Sequence, residues 1–357
     1  MTVAVRSFAK INLGLYIGRV RADRFHDLRT VYQTIALHDV IRVTVVRGRG
    51  IEILCEDARV PLDSSNTCYR IAERVMDEFG AKGKVTVEIE KRLPVQGGLG
   101  AASSNGVATM IGLERALQKS LPGATRLRIA AEVGSDLPLF VVGGTVLGVA
   151  RGEEVYPLPD LGATPMVVVT PEIGVSTAKA FADWDRLAAP DDAAELRSSG
   201  QPRAAVPTQA WTGGADEGRS SNNHELTHLE ASDRLVEVGR VLSSWLSGSP
   251  NTGAPAKGGS RAGSLLLDLV RTGIENDFEK VVFPQHPELR DMKRALERAG
   301  SRYASLSGSG SALYGLFRSR AEAVNAVGRL RKQGVQAVAT STLTRRNCWR
   351  KFLVSGC

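Results

Sequence analysis

Leu93–Asn105 reads LPVQGGLGAASSN: one proline, three glycines, two alanines and two serines, with no charge among them. Such a run has almost no side chain to bury, so it cannot be a packed core element, yet its glycines let backbone amides come close to a ligand. Its flanks narrow the choice further. Before it, Lys84–Lys91 alternates, with Val85, Val87 and Ile89 set against Thr86, Glu88 and Glu90, the period of a strand with one buried face. After it, Ser104 or Asn105 is in place to cap a helix in which Met110, Leu113 and Leu117 share a face. Strand, glycine-rich loop and helix start together make an anion site, because free first-turn N–H groups and the positive dipole end face whatever the loop encloses. From these residues alone two readings stay open, a phosphate cradle and a tight structural connection. The chain carries neither the P-loop nor the dinucleotide fingerprint: no Gly-Lys-Ser/Thr follows, and Ser103 stands where a third glycine is needed.

At 357 residues and 43% apolar content, the chain has the length of two domains or one large one. Its first residues, MTVAVRSFAKINLGLYIG, lack a basic leader and a continuous apolar stretch, and no later run reaches the length of a membrane span. The expectation is a cytoplasmic protein with no membrane partner. Cys55, Cys68, Cys348 and Cys357 form no C-x-x-C pair, which argues against a zinc site or a secreted disulfide framework. Lys and Arg outnumber Asp and Glu by 46 to 38, a net charge of +8 that suits polyphosphate ligands or plain solvated charge. No basic stripe is interleaved with aromatics, so nucleic acid is disfavoured, and RRNCWRKF near the C-terminus is the one stretch that keeps it open. Nothing in the sequence separates a monomer from a homodimer.

Strand patterns cover Ala4–Ile17, Val40–Val46 and Ile51–Glu56, and a helix is expected at Asn66–Phe79, where Ile71, Val75 and Phe79 lie on one face. A helix around Leu127–Val133, a hairpin at Gly144–Leu158 and an apolar strand at Pro165–Thr170 follow, with a domain boundary near residue 160. Ala188–Asn223 and Ser247–Gly263 are poor in apolar residues and read as flexible insertions. Between them Leu235, Val238, Leu242 and Trp245 keep helical spacing, as do Leu289, Met292 and Leu296 beyond them. SRYASLSGSGSALYGLF then reads as two strands around a small-residue turn, before a helix from Ala321 and a strand at Val335–Ser341. An α+β architecture follows, with an antiparallel sheet covered by helices in the second half.

Two charged residues ask for a reason. Strand alternation puts Lys10 on the same face as Asn12, with Ala9 and Ile11 on the other; a snorkelling edge lysine is the plain alternative to a functional one. Asp136, in EVGSDLPLF, is expected at the C-terminal end of a helix that Pro138 stops, where an acid opposes the dipole, though a turn-forming aspartate fits as well. A serine nucleophile at Ser103 or Ser104 working with Lys10 is also conceivable, but it leaves Asp136 and the SGSGS turn at Ser307–Ser311 without a role.

PVQGGLGAASSN resembles the ATP-binding loop of the GHMP kinases, and SGSGS resembles their C-terminal glycine motif. The likeness to one branch of that family runs through AKINLGLYIGRVRADRFHDLRTVYQTIAL (Ala9–Leu37), KRLPVQGGLGAASSN (Lys91–Asn105), GSDLPLFV (Gly134–Val141) and NDFEKVV (Asn276–Val282). It implies a two-domain GHMP kinase fold with nucleotide and substrate in the cleft between domains: an N-terminal domain at 1–160, a C-terminal domain at 161–345 and a basic tail at 346–357. It also implies ATP and Mg²⁺ as cofactors and a small-molecule substrate, a cytidine diphosphate-linked methylerythritol phosphorylated on its 2-hydroxyl in isoprenoid precursor synthesis. Another small alcohol such as homoserine, and a silent nucleotide-binding regulator, are the competing readings.

By the same resemblance Asp136 is the acid that accepts the hydroxyl proton, and Lys10 holds that acid and the hydroxyl in place. Pro94, Gly97, Gly98, Leu99, Gly100, Ala101, Ala102, Ser103 and Ser104 would wrap the ATP phosphates, with Ser104 also reaching the metal, and Asn66 and Lys91 would lie near the nucleotide. Ser307, Gly308, Ser309 and Gly310 form the C-terminal glycine motif. Asn12, Phe25, His26 and Phe181 would hold the cytidine end, the two phenylalanines sandwiching the base while His26 reads its edge. The chain departs from the family where Phe25 replaces a common tyrosine, where Ala101 and Ala102 replace glycines, and in the longer segment after Phe181.

Overall fold

The computed structural model describes residues 2–188 and 274–354. The insertions expected near 188–223 and 247–263 and the helix expected around Leu235–Trp245 lie outside the described residues, Ala188 excepted. Two long antiparallel strands organise the rest, β1 (Thr2–Val20) and β2 (His26–Val46). At its far end β2 pairs with β4 (Lys84–Glu90), which carries β3 (Gly50–Cys55) in parallel on its other edge. At its near end β2 pairs with the hairpin β5 (Thr145–Val149) and β6 (Glu154–Pro157), which completes a six-stranded sheet.

The first half of β2 escapes a reading by alternation because both of its faces are covered. Val31 and Ile35 enter one hydrophobic cluster while Tyr32, between them, enters another. β1 goes further. Val3 and Val5 pack with the N-terminal helices, Ala9, Ile11 and Leu13 pack between the two sheets, and Leu15 and Ile17 pack with the C-terminal helices. Register shifts after Phe8 and Asn12 let one strand serve three cores.

Helices α1 (Thr67–Glu78), α2 (Ala101–Ala116), α3 (Gly123–Val133) and the short α4 (Leu137–Val142) belong with this first sheet, and their apolar residues share a cluster with Val43, Val85 and Val87. The second sheet runs β10 (Ala337–Ser341), β7 (Pro165–Val169), β9 (Leu313–Leu316), β8 (Tyr303–Leu306), antiparallel throughout. Along β7 the alternation is clean. Val167 and Val169 face the helices α6 (Phe278–Gln285), α7 (Pro287–Arg298) and α8 (Arg320–Lys332), while Met166 and Val168 face the first sheet. Between β7 and the undescribed segment lies α5 (Thr177–Ala188). The mixed α+β architecture agrees with the sequence reading, and no helix among the described residues is long and apolar enough to cross a membrane.

The basic stretch near the C-terminus is not a free tail. Its residues form α9 (Arg345–Lys351), capped by the Thr344 side chain. Cys348 and Phe352 are buried, the Phe352 ring lies 5.7 Å from that of Phe8, and Trp349 donates Nε1–H to Val142 O at 3.2 Å. The chain then runs beside β1, with Arg6 N to Phe352 O at 2.7 Å and Val354 N to Ala4 O at 3.0 Å. Sequence periodicity misses a helix this short because its partners, such as Val142 of α4, and those of the following Phe352, such as Phe8 of β1, lie far away along the chain. Phe352→Ala should therefore cost about 3–5 kcal/mol in urea unfolding, the usual range for emptying a buried aromatic site, whereas a free tail would register nothing.

Candidate active site

Lys10 sits on β1 with Ala9 and Ile11 turned into the inter-sheet core, which leaves its own side chain on the opposite face beside Asn12. It is buried, 4% exposed, and its Nζ donates to Asn12 Oδ1 at 2.7 Å and stands 3.6 Å from Asp136 Oδ2. Burial pulls the ammonium below the usual lysine pKa, and Asp136 works in the opposite direction. Asn12 is oriented in turn by its amide N–H to Thr30 Oγ1 at 2.7 Å. The Asp136 side chain is 35% exposed, so its carboxylate faces both the buried ammonium and solvent.

Asp136 does not end a helix, as the sequence reading expected. α3 stops at Val133 with Gly134 as its C-cap, and Asp136 occupies the N-cap position of α4, with Pro138 inside the first turn. Proline is compatible with a helix start, so it opens the next helix here rather than stopping the previous one. The acid meets the positive end of α4, not the negative end of α3.

The glycine-rich loop leaves β4 and enters α2 in the expected order, but the helix starts three residues before the serine assigned as its cap. Gly100, at φ +67°, is the N-cap, and no side chain caps α2. The first-turn N–H groups of Ala101, Ala102 and Ser103 thus lack intrahelical partners. Ser104 and Asn105 are buried inside the helix. Ser104, expected to reach a metal or phosphate, donates its hydroxyl to Phe8 O at 2.6 Å and accepts from Ser7 Oγ at 2.7 Å.

Asp39, which the sequence reading did not single out, ties the two ends of the loop together. Its fully buried carboxylate accepts from Lys91 Nζ, Arg92 N and Leu93 N, each at 2.7 Å, and from Asn105 Nδ2 at 3.1 Å. Lys91, expected near the nucleotide, is committed to this ion pair and to Leu93 O. Asn66, expected there too, caps α1 by accepting from Cys68 N and donates to Pro61 O. The resemblance places both residues near the nucleotide, and the hydrogen bonds of their side chains to protein groups are what the structure adds.

The C-terminal motif forms the β8–β9 turn and lies directly on the first loop. Ser307 Oγ donates to Gly98 O at 2.9 Å, and Ala312 N to Gly97 O at 3.1 Å. Gly98, at φ +73°, has no room for a side chain, since a β-carbon would stand 2.1 Å from Ser307 O. Asn276 of NDFEKVV holds the turn by donating to Leu306 O and Gly308 O, and Ser309 Oγ lies 2.8 Å from Thr177 Oγ1. A β-carbon on Gly308 would be 3.4 Å from Lys10 Nζ, so both glycine loops close on the lysine. Pro94 braces the first loop against Gly97, and Leu99 anchors it in the inter-sheet core.

The three rings expected at the cytidine end do not all lie together. His26 lies flat on Phe181, with centroids 4.8 Å apart and planes 13° apart, and its Nε2 is 2.6 Å from Asp185 Oδ1. Phe181 also meets Phe278 edge-on at 4.9 Å. Phe25 is outside this stack, 53% exposed, with the Arg151 guanidinium 5.1 Å over its ring. Two flat rings brought together by folding cover each other's faces, an outcome the residue types alone do not reveal. Tyr32 is a further residue that sequence reading missed. It donates to Asp136 Oδ1 at 3.1 Å, yet a tyrosine in an apolar strand carries no signal that distinguishes it from core. Among the described residues no group of three or more His, Cys, Asp or Glu is placed to hold a metal ion.

The family model described as "GHMP kinases N terminal domain" matches residues 66–144, and "GHMP kinases C terminal" matches 260–336. A 4-diphosphocytidyl-2-C-methyl-D-erythritol kinase of Solibacter usitatus (strain Ellin6076) is 33% identical over 350 residues, 98% of this chain and 92% of that protein. One of Moorella thermoacetica (strain ATCC 39073 / JCM 9320) is 31% identical over 338 residues, 94% of this chain and 98% of its own length. A crystal structure of 4-(cytidine 5'-diphospho)-2C-methyl-D-erythritol kinase superposes with TM-score 0.64 at 24% identity, covering 95% of this chain and 98% of the other. Homoserine kinase from Cytophaga hutchinsonii ATCC 33406 superposes with TM-score 0.65 at 17% identity, covering 96% and 95%, a likeness of fold.

The contact between the glycine loops sets a test. Gly98→Ala should lower stability by about 2–4 kcal/mol in urea unfolding, from the positive φ and the clash with Ser307 O together. Gly123→Ala, with nothing within 4 Å of the added carbon, should stay within about 0.5 kcal/mol of the parent or gain slightly from helix propensity.

Proposed function

We propose that this chain, which belongs to the 4-diphosphocytidyl-2-C-methyl-D-erythritol kinases of the GHMP kinase family, transfers the γ-phosphoryl group of ATP to the 2-hydroxyl of 4-diphosphocytidyl-2-C-methyl-D-erythritol. The reaction is a step in the non-mevalonate synthesis of isoprenoid precursors, and we place it in the cytoplasm. The observation that carries the reading is the buried Lys10 beside the half-open Asp136, enclosed by two glycine loops and an uncapped helix start.

The phosphates of ATP lie along Gly97–Ser103, where backbone N–H groups and the dipole of α2 offset their charge. Asp136 accepts the proton of the alcohol while the alcohol oxygen forms its bond to the γ-phosphorus. The bond from that phosphorus to the β–γ bridging oxygen breaks, and ADP leaves with the electron pair. Lys10 directs the Asp136 carboxylate, and it steadies the alcohol oxygen as charge shifts through it. Mg²⁺, when bound, supplies charge neutralisation on the phosphates. Ser104, the residue expected to reach the ion, would have to give up its hydrogen bond to Phe8 O to do so. The cytidine end lies across Phe25, His26 and Phe181, so its binding parts the His26–Phe181 stack.

ADP release with Mg²⁺-ATP tests the reading. Turnover is expected with the cytidyl alcohol and not with homoserine. Asp136→Asn should lose about 10²–10⁴-fold in kcat while keeping its circular dichroism and its affinity for ATP. Full turnover by a folded Asp136→Asn protein would remove Asp136 from its role, and preference for homoserine would change the substrate.

A further inference from the structure

Tyr32 has no part in the reaction as proposed, yet it is built into the same cluster. It lies on β2 opposite Asn12 of β1, only 3% exposed, and donates its hydroxyl to Asp136 Oδ1 at 3.1 Å. Lys10 Nζ stands 3.6 Å from the other oxygen, Oδ2, and 5.6 Å over the Tyr32 ring centroid. The two oxygens of one carboxylate therefore have separate partners, and those partners also touch each other. The hairpin β5–β6 makes room for the ring. A β-carbon at Gly148 would stand 2.4 Å from Tyr32 Cε2, and one at Gly152 would stand 2.6 Å from the phenol oxygen. Burial, and after it Asp136, hold the phenol far above the ordinary tyrosine pKa, so the hydroxyl remains a donor throughout the working range.

We infer that Tyr32 is a positioning residue for Asp136, pinning Oδ1 with its hydroxyl so that Oδ2 stays between Lys10 and the incoming alcohol, while its ring supports the lysine. A lone Lys–Asp contact at 3.6 Å leaves the carboxylate free to rotate about its last bond, and a second fixed donor removes that freedom. In a reaction that depends on alignment, such a loss of freedom acts on the rate more than on ground-state binding.

This inference rests on the kinase reading, so its test carries two readouts. Tyr32→Phe keeps the ring and the packing and deletes the hydroxyl. Its kcat should fall about tenfold, the scale of one lost hydrogen bond to a charged group, with KM for both substrates within about twofold. In protein carrying ¹³C at the aspartate carboxyls and no substrate, the Asp136 resonance, assigned by its absence in Asp136→Asn, should move in Tyr32→Phe. Tyr32→Leu, which also removes the cation–π support, should be slower still. An unmoved resonance, whatever the rate does, or a rise in KM in step with the fall in kcat, marks a packing role and overturns the assignment. If the parent protein turns over no cytidyl alcohol, the kinase reading fails, while the resonance still decides for or against Tyr32.

Discussion

A strand buried on both faces has no solvent side on which to leave a charge, and β1 is such a strand through its middle. Lys10 lies within it, between residues committed to the inter-sheet core, so its ammonium must be met by protein groups. Asn12 Oδ1, the carboxylate of Asp136 and the face of Tyr32 meet it. The polar cluster in the cleft is the compensation that this burial requires, and a charged pair assembled for that reason is what in-line phosphoryl transfer can use.

The same strand explains why the two halves of the chain act as one body around the site. Tyr314 of the second sheet donates to Asn12 O at 2.8 Å, and Leu15 exchanges backbone hydrogen bonds with Glu275 and Asp277. Ile11, Leu13, Met166, Val168 and Leu316 close a shared apolar layer behind the polar cluster. The loop contact between Gly98 and Ser307 is the polar rim of that layer. Any shift between the sheets would move the two loops apart and alter the space in front of Asp136, so the position of the first glycine-rich loop is set by core packing as much as by its glycines.

Much of the fold was legible because many elements bury one face. β4, α1, α3, the β5–β6 hairpin, β7 and α7 follow the period of their apolar residues. Where burial is two-sided or comes from far along the chain, the period vanishes: the first half of β2, covered by two clusters, and α9, held by the N-terminal sheet, were not readable in this way. The start of α2 was misplaced because serine and asparagine are good caps in general, whereas here they satisfy a buried network around Asp39 and Ser7.

For the site, the sequence alone determined the chemistry on offer: a loop with almost no side chain to bury, fit for a phosphate cradle or a tight connection, a lysine out of place in an apolar strand, an acid two residues before a proline, and a second glycine turn. These follow from residue type and short-range spacing, which local physics controls. Tertiary structure alone decided that Lys10 and Asp136 meet, that Tyr32 joins them, that Ser104, Lys91 and Asn66 are engaged elsewhere, and that His26 rests on Phe181. Each of these depends on which polar groups find partners across tens or hundreds of residues, and packing settles that choice once the apolar faces have been buried.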